Sequence, residues 1–110
     1  LLFILSDRMM RQGDKVSESH SHSFDAGAAW AQMGLQAARM GYHAHGMTGL
    51  DFERATAALG VPDDFRLEAA VAIGRRADPA ILPEGLRERE APSPRKPLEE
   101  IAFAGPLPPG

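Results

Sequence analysis

The stretch SFDAGAAWAQMGLQAARMGYHAHGMTG, residues 23–49, predicts a helix that runs into a short strand. Ser23 is a favourable N-cap because its hydroxyl can accept a hydrogen bond from a free backbone N–H of the first turn. The residues Phe24–Met40 contain no proline and are rich in alanine, the strongest helix former. Gly41 suits the left-handed position that ends many helices. Residues 42–49 alternate in polarity and end in small residues, which indicates a strand followed by a turn.

The predicted helix carries two stripes of apolar residues. The first contains the bulky Trp30 and Met33 at the spacing of one helix face. The second has almost no side-chain volume and consists of Gly27, Ala31, Gly34 and Ala38. Glycine inside a helix costs about 1 kcal/mol relative to alanine, so two on one face indicate the close approach of a neighbouring segment or a second subunit. We therefore expect a homodimer through Phe24–Met40; the alternative is that these are ordinary surface positions.

Composition limits the class of protein to which the chain can belong. Its 110 residues suffice for one small domain, and 44% of them are hydrophobic and 25% charged. The formal net charge of -3 gives no reason to expect nucleic-acid binding, and no apolar run is long enough to predict a membrane span. Cysteine is absent, which excludes disulfides and cysteine-based metal sites and is consistent with a cytoplasmic protein.

The rest of the chain predicts strands and helices in mixed order. Leu1–Leu5 is an apolar run typical of a buried strand in a parallel sheet whose partners lie elsewhere, so we expect the chain to be a fragment. Residues 7–23 are polar and predict a loop with a helical turn at residues 8–12, and residues 75–94 predict a surface loop. Three further elements are expected: a short helix at Phe52–Leu59 that Asp51 caps, a strand at Arg66–Ile73, and a last strand or extended arm at Leu98–Phe103.

The four histidines form two His-x-His pairs, His20/His22 and His43/His45. Side chains two residues apart on a strand share a face, so either pair could contribute to a metal site, but no carboxylate or cysteine stands at a spacing that would complete it. We therefore predict no metal, and expect His43 or His45 to line a substrate pocket, the alternative being packed or surface histidines. The chain has neither a nucleophile elbow nor a glycine-rich phosphate loop, which argues against hydrolase, Rossmann and ATP sites.

A basic pair, Arg95 and Lys96, stands between two prolines near the end of the chain. A guanidinium can bind a phosphate through two parallel hydrogen bonds, so Arg95 is a candidate phosphate ligand. For an isolated pair of this kind, a solvated basic turn is the alternative.

Six segments, taken in order, resemble the C-terminal half of the nitroreductase family of FMN-dependent oxidoreductases. Leu1–Leu5 corresponds to a strand of the family, residues 24–38 are similar to its D-x-G-x-A helix and following L-x-A run, and residues 40–51 are similar to its glycine-rich turn before an aspartate. Ala57–Pro62 is similar to a helix end, Val71–Gly74 to the next strand, and Arg95–Glu100 to the C-terminal basic motif of the family. Their order and spacing agree over nearly the whole chain.

The resemblance implies an α+β, three-layer fold and a homodimer with FMN bound at the subunit interface. NAD(P)H would reduce the flavin, which would pass electrons to a nitroaromatic, a quinone or a similar small-molecule acceptor. By the same resemblance, backbone around Met47, Thr48 and Gly49 would face the flavin ring. Arg95, with Lys96 as a second candidate, would hold the FMN phosphate. The resemblance assigns no catalytic residue.

The sequence differs from the family in one respect: it lacks the N-terminal Arg-Ser-x-Arg-like segment that also binds FMN in the family. We therefore expect residues 1–104 to form the C-terminal part of a single nitroreductase-like domain and residues 105–110 to form a disordered tail. We also expect the 110-residue chain alone to bind FMN weakly or not at all. The alternative function is a non-catalytic dimerisation or binding module built on the glycine-containing helix, and a His-rich metal-binding protein is a weaker third interpretation.

Overall fold

The computed structural model describes residues 1–106, and residues 107–110 of the predicted tail lie outside the described part. The chain divides into two compact units, one from Leu1 to Arg76 and one that begins at Ala77. The predicted domain boundary at residue 104 stays a prediction. The first unit contains β1 (Leu2–Asp7), β2 (Met9–Gln12), β3 (Lys15–Glu18), α1 (His22–Arg39), β4 (His43–Met47), α2 (Phe52–Leu59) and β5 (Phe65–Gly74).

The central sheet has the strand order β1-β5-β4, and both strand pairs are antiparallel. Leu2 lies opposite Val71, and the register of β1 against β5 shifts between Ile4 and Leu5. The prediction of a parallel-type first strand with partners elsewhere is therefore wrong, because β1 pairs with a strand of this same chain. The expected strand at Arg66–Ile73 is confirmed as the central strand of the sheet.

Helix α1 begins at His22, and Ser21 stands at its N-cap position without a side-chain bond to the backbone. The prediction that Ser23 caps this helix is wrong, because the Ser23 hydroxyl donates to a Glu68 carboxylate oxygen at 2.6 Å instead. The end of the helix is as predicted. Gly41 has a φ of 77°, the left-handed conformation that suits glycine after a helix.

The most buried apolar residues of the first unit are Ala37 of α1 and Leu67, Ala70 and Val71 of the central strand β5. On α1, Trp30 faces the sheet so closely that a Cβ added to Gly46 would lie 3.3 Å from the indole ring. The small-residue stripe has no such neighbour: a Cβ added to Gly27 or Gly34 would have nothing within 4 Å. Close approach by another part of this chain is therefore absent at both glycines among the described residues.

Helix α2 begins and ends as the sequence predicts. The Asp51 side chain accepts a hydrogen bond from the backbone N–H of Arg54 at 3.0 Å, which satisfies one of the free donors of the first turn. Gly60 ends the helix in the left-handed conformation with a φ of 62°. Both signals are local to the sequence, and both are confirmed.

Residues 9–18 form an antiparallel hairpin of β2 and β3, and the predicted loop with a helical turn at residues 8–12 is wrong. Gln12 pairs with Lys15, so Gly13 and Asp14 make a two-residue turn, and Gly13 has the positive φ of 59° that such turns require. An isolated two-stranded hairpin is marginally stable in water. Here Arg11 connects the hairpin to Asp7 of β1 and to Asp64, in the turn before β5, through ion pairs.

The second unit contains the short helix α3 (Glu84–Arg87) and three 3-10 turns among its described residues, at Pro79–Ile81, Glu88–Glu90 and Leu98–Glu100. The last turn replaces the predicted strand or arm at residues 98–103. Its N–H groups bond back to residues three positions earlier, as in Glu100 N–H to the Pro97 carbonyl at 3.1 Å. No described helix is both long and apolar enough to cross a membrane.

Candidate functional site

The turn after β4 brings the three predicted ring-facing residues together. Met47 ends β4 opposite Ala70 of the central strand, and Thr48 and Gly49 follow it at exposed positions. A Cβ added to Gly49 would have nothing within 4 Å, so the backbone here is open to a ligand. The strand thus carries the chain into an accessible turn at the edge of the sheet.

Met47 and Gly49 border a cavity of about 380 Å³ between the sheet and α2. Its walls are formed mainly by apolar residues: Leu1, Phe3, Leu50, Ala55, Ala58 and Ala70. Two polar residues, Asp51 and Arg54, also line it. Ligand cavities are commonly apolar with a few polar groups, and this lining has that composition.

His43 and His45 lie on β4, where they pair with Gly74 and Ala72, and both are exposed. The alternation of a strand places them on the same face as Met47. Neither lines the 380 Å³ cavity that Met47 borders. Their place in a substrate pocket stays a prediction. Within residues 1–106, no group of three or more His, Cys, Asp or Glu side chains is arranged to hold a metal ion.

Arg95 and Lys96 belong to the second unit, whereas Met47, Thr48 and Gly49 belong to the first. Both basic residues are exposed. Nη1 of Arg95 donates to the Ser93 hydroxyl at 2.7 Å and to the Ser93 carbonyl at 3.4 Å. Because a guanidinium has five N–H donors, Arg95 keeps donors for a phosphate while it is held by Ser93. Its chemistry therefore fits the FMN phosphate.

The structure also shows a polar cluster that sequence reasoning missed, formed by Ser6, His22, Ser23 and Glu68. The hydroxyls of Ser6 and Ser23 donate to the same Glu68 oxygen at 2.7 and 2.6 Å. His22 Nδ1 lies 2.9 Å from the Ser6 hydroxyl oxygen and 3.8 Å from the Glu68 carboxylate. The cluster joins β1, β5 and the first turn of α1. The signal for it in the sequence was Glu68 itself, a carboxylate directly before the apolar run of β5.

The hydrogen-bond pattern of this cluster is structural rather than that of a hydrolase. In a serine hydrolase, the carboxylate orients the histidine and the histidine accepts the serine proton. Here the serines donate directly to Glu68. Ser6 is 4% exposed, which also keeps a substrate from its oxygen. No buried side-chain nitrogen or oxygen among the described residues lacks a partner.

Opposing influences act on the pKa of Glu68. Burial favours the neutral acid and by itself raises the pKa. The hydrogen bonds from Ser23 and Ser6, together with the electrostatic interactions with Arg66 and His22, act in the other direction and leave the pKa below its ordinary value of 4.5. The folded chain therefore holds Glu68 as an anion at neutral pH.

Comparison with known proteins identifies the fold. A model of the nitroreductase family matches residues 1–75. The chain belongs to the nitroreductase family. Among solved structures, this nitroreductase-family chain is similar to an oxidoreductase containing FMN, with a TM-score of 0.90 and 46% sequence identity over 96% of this chain. The predicted α+β, nitroreductase-like fold is therefore confirmed.

This chain matches only part of the length of each of two similar proteins. This chain spans 54% of the length of the solved oxidoreductase. It is also 42% identical over 95 residues to an uncharacterized 15.4 kDa protein in the ask 5' region of Mycolicibacterium smegmatis; that match covers 86% of this chain and 64% of the other protein. The family match ends at the boundary of the first unit, so Arg95 and Lys96 lie beyond it.

Proposed function

We propose that this chain forms part of an FMN-dependent oxidoreductase of nitroreductase type. The observation that supports this most directly is its similarity, at 46% identity and a TM-score of 0.90, to an oxidoreductase that contains FMN. The open turn at Met47–Gly49 and the apolar cavity beside it are consistent with this role, because they offer backbone and apolar walls to a planar ring.

In this proposal the protein positions the cofactor, and the bound flavin would supply the transfer of electrons from NAD(P)H to a nitroaromatic, quinone or similar acceptor. The backbone of Met47, Thr48 and Gly49 lies against the ring. Arg95, assisted by Lys96, binds the phosphate through guanidinium donors that Ser93 does not use. We also propose a cytoplasmic location, in keeping with the absence of cysteine.

The flavin assignment is tested by identifying the cofactor on the native protein. The protein is fused to an affinity tag at its chromosomal locus and purified, and any bound flavin is released with acid and identified by chromatography. We expect FMN, and NAD(P)H oxidation by the purified protein. Purified protein without flavin that also fails to take up added FMN would contradict the proposal and leave the alternative, a non-catalytic dimerisation or binding module.

The role of Arg95 has a separate test in the same tagged protein. Arg95→Ala should weaken FMN retention by about 1.5–3 kcal/mol, the contribution of a hydrogen bond to a charged group. Arg89→Ala, in another turn of the second unit, is the matched control and should leave retention unchanged. Equal flavin occupancy of both variants after dialysis would show that Arg95 is only a surface charge.

We further propose that the protein is a homodimer paired through α1. The open space at Gly27 and Gly34 and the 78% and 69% exposure of Phe24 and Leu35 on the same helix support this, because a partner would bury them. Gly34→Leu should shift the mass measured by analytical ultracentrifugation from dimer to monomer. Gly85→Leu, at an equally open glycine in the second unit, should not. A monomeric wild-type protein would contradict the proposal.

A further inference from the structure

A second groove lies beside the flavin-facing turn, and we refer to it as the aromatic groove. It has a volume of about 490 Å³. Its lining includes Arg8, Thr48, Phe52, Thr56, Phe65 and Leu67. A cavity of about 150 Å³ is already large enough for benzene, so this groove has room for a single substituted aromatic ring.

The lining of the aromatic groove combines apolar rings with positive charge. Phe52 is 36% exposed and Leu67 is 6% exposed, so the groove has an apolar floor beside an accessible ring. Of the charged residues that line it, Arg66 lies 3.5 Å from Glu68, and this pair is neutral as a unit. Arg8 is the remaining cation. The charged residues that line the groove therefore sum to one positive charge, carried by Arg8.

The Arg8 guanidinium is available to a ligand. Its side chain is exposed and makes no hydrogen bond or ion pair with any residue in the range 1–106. Arg8 also lines a neighbouring polar cleft that contains Glu18, Asp63 and Asp64, and of these carboxylates Asp64 is engaged by Arg11. A planar guanidinium matches a carboxylate geometrically and pairs with it through two hydrogen bonds.

We propose that the aromatic groove binds aromatic carboxylates, with the ring against Phe52, Phe65 and Leu67 and the carboxylate on Arg8. The role of this binding rests on the proposed function. Because Thr48 lines the groove and also belongs to the turn proposed to face the flavin, the groove selects anionic aromatic acceptors over neutral ones of the same shape. Arg8 is then the residue that sets this specificity.

The test measures binding to the 110-residue chain without flavin, by isothermal titration calorimetry. The probes are 4-nitrobenzoate and its neutral isostere 4-nitrobenzamide. We expect wild-type protein to bind the carboxylate about tenfold or more tightly than the amide, as a charge-assisted bond requires. Arg8→Gln should remove this preference while leaving the Kd of the amide unchanged, and Arg39→Gln, at an exposed arginine on the last turn of α1, should retain it.

A second variant tests the groove rather than the charge. Thr56→Trp should fill the space and weaken the binding of both probes, with the fold checked by circular dichroism. Equal affinity of the wild-type chain for the two probes, no saturable binding of either, or an unchanged preference in Arg8→Gln would each overturn the proposal. These results are distinguishable from failure of the proposed function, because flavin identification on the native protein does not depend on either probe.

Discussion

Replacing Glu68 with glutamine should destabilise the chain by about 2 kcal/mol, because Glu68 is the acceptor that joins α1 to the sheet. Hydrogen bonds to charged groups contribute about 1.5–3 kcal/mol each and neutral ones about 0.5–1.5 kcal/mol. Glu68→Gln converts the bonds from Ser6 and Ser23 from the first kind to the second, so each loses about 1 kcal/mol. The side chain of Glu68 is 18% exposed, so solvent screens these bonds only in part.

The measurement is urea unfolding followed by the fluorescence of Trp30, the only tryptophan of the chain. Trp30 packs against Gly46 in the core, so its emission reports separation of α1 from the sheet. Glu18→Gln is the matched control, since Glu18 is an exposed residue of the hairpin without a side-chain hydrogen bond among the described residues. If both variants unfold within about 0.5 kcal/mol of wild type, the cluster does not hold the helix and the reasoning fails.

The pH dependence of the free energy of unfolding provides an independent check on the role of Glu68, and its sign follows from the direction of the pKa shift. The pKa of Glu68 is lower in the folded chain than its ordinary value of 4.5, so the folded state favours the anion more than the unfolded state does. The stabilisation from this group is therefore fully present above the unfolded pKa and is lost as pH falls from it through the folded pKa. Glu68→Gln should lack this acid-dependent component, so its deficit relative to wild type should shrink below pH 4.5. A deficit that stays constant at acid pH would contradict the assignment of charge to Glu68.

Three local features give further predictions, each measured by thermal or urea unfolding. Asp51→Ala removes the cap of α2 and should lower the free energy of unfolding by about 0.5–2 kcal/mol. Asp51→Ser, which keeps a capping oxygen, should retain most of this stability, and an equal loss in both variants would show that the cap is unimportant. Gly60→Ala places a side chain at a φ of 62° and should cost about 1–2 kcal/mol, and a neutral result would mean that the helix end relaxes. Gly46→Val crowds the Trp30 ring and should cost about 1–3 kcal/mol with a shifted emission maximum, while unchanged emission would argue against the contact.

The elements that the sequence predicted correctly are those whose signals are local. The cap at Asp51, the glycines at positions 41 and 60, and the apolar run of β5 each determine their structure through neighbours a few residues away. The β2–β3 hairpin carried a local signal too, since Gly13-Asp14 suits a two-residue turn, but its strands are short and polar. Contacts with distant residues hold them in place: Arg11 pairs with Asp64, and the backbone N–H of Arg8 bonds to the Asp64 carbonyl.

In the candidate site, too, the features that depend on neighbouring residues were predictable and those that depend on distant residues were not. The end of β4 and the turn at Met47–Gly49 were predictable because a strand, a turn and a helix cap follow one another in sequence, whereas the role of this turn toward a flavin stays a prediction. The Ser6–Glu68 bond spans 62 positions, so no pattern within one element could have shown that Ser23 would bond across to β5 instead of capping α1. Antiparallel pairing of β1 with β5 is the cause of both errors about this region: it brings Glu68 beside Ser6, and it gives the first strand a partner within the chain.

The boundary between the two units determines which parts of the proposed site can be tested separately. The family match ends at residue 75, and the first unit ends at Arg76. The turn proposed to face the flavin ring therefore lies in the part of the chain with a hydrogen-bonded sheet and a buried core, whereas Arg95 lies in short turns where no described residue is buried. A substitution at Arg95 should consequently change flavin retention without changing the unfolding of the first unit. Substitutions at Glu68 should do the reverse, because Glu68 acts on the packing of α1 against the sheet.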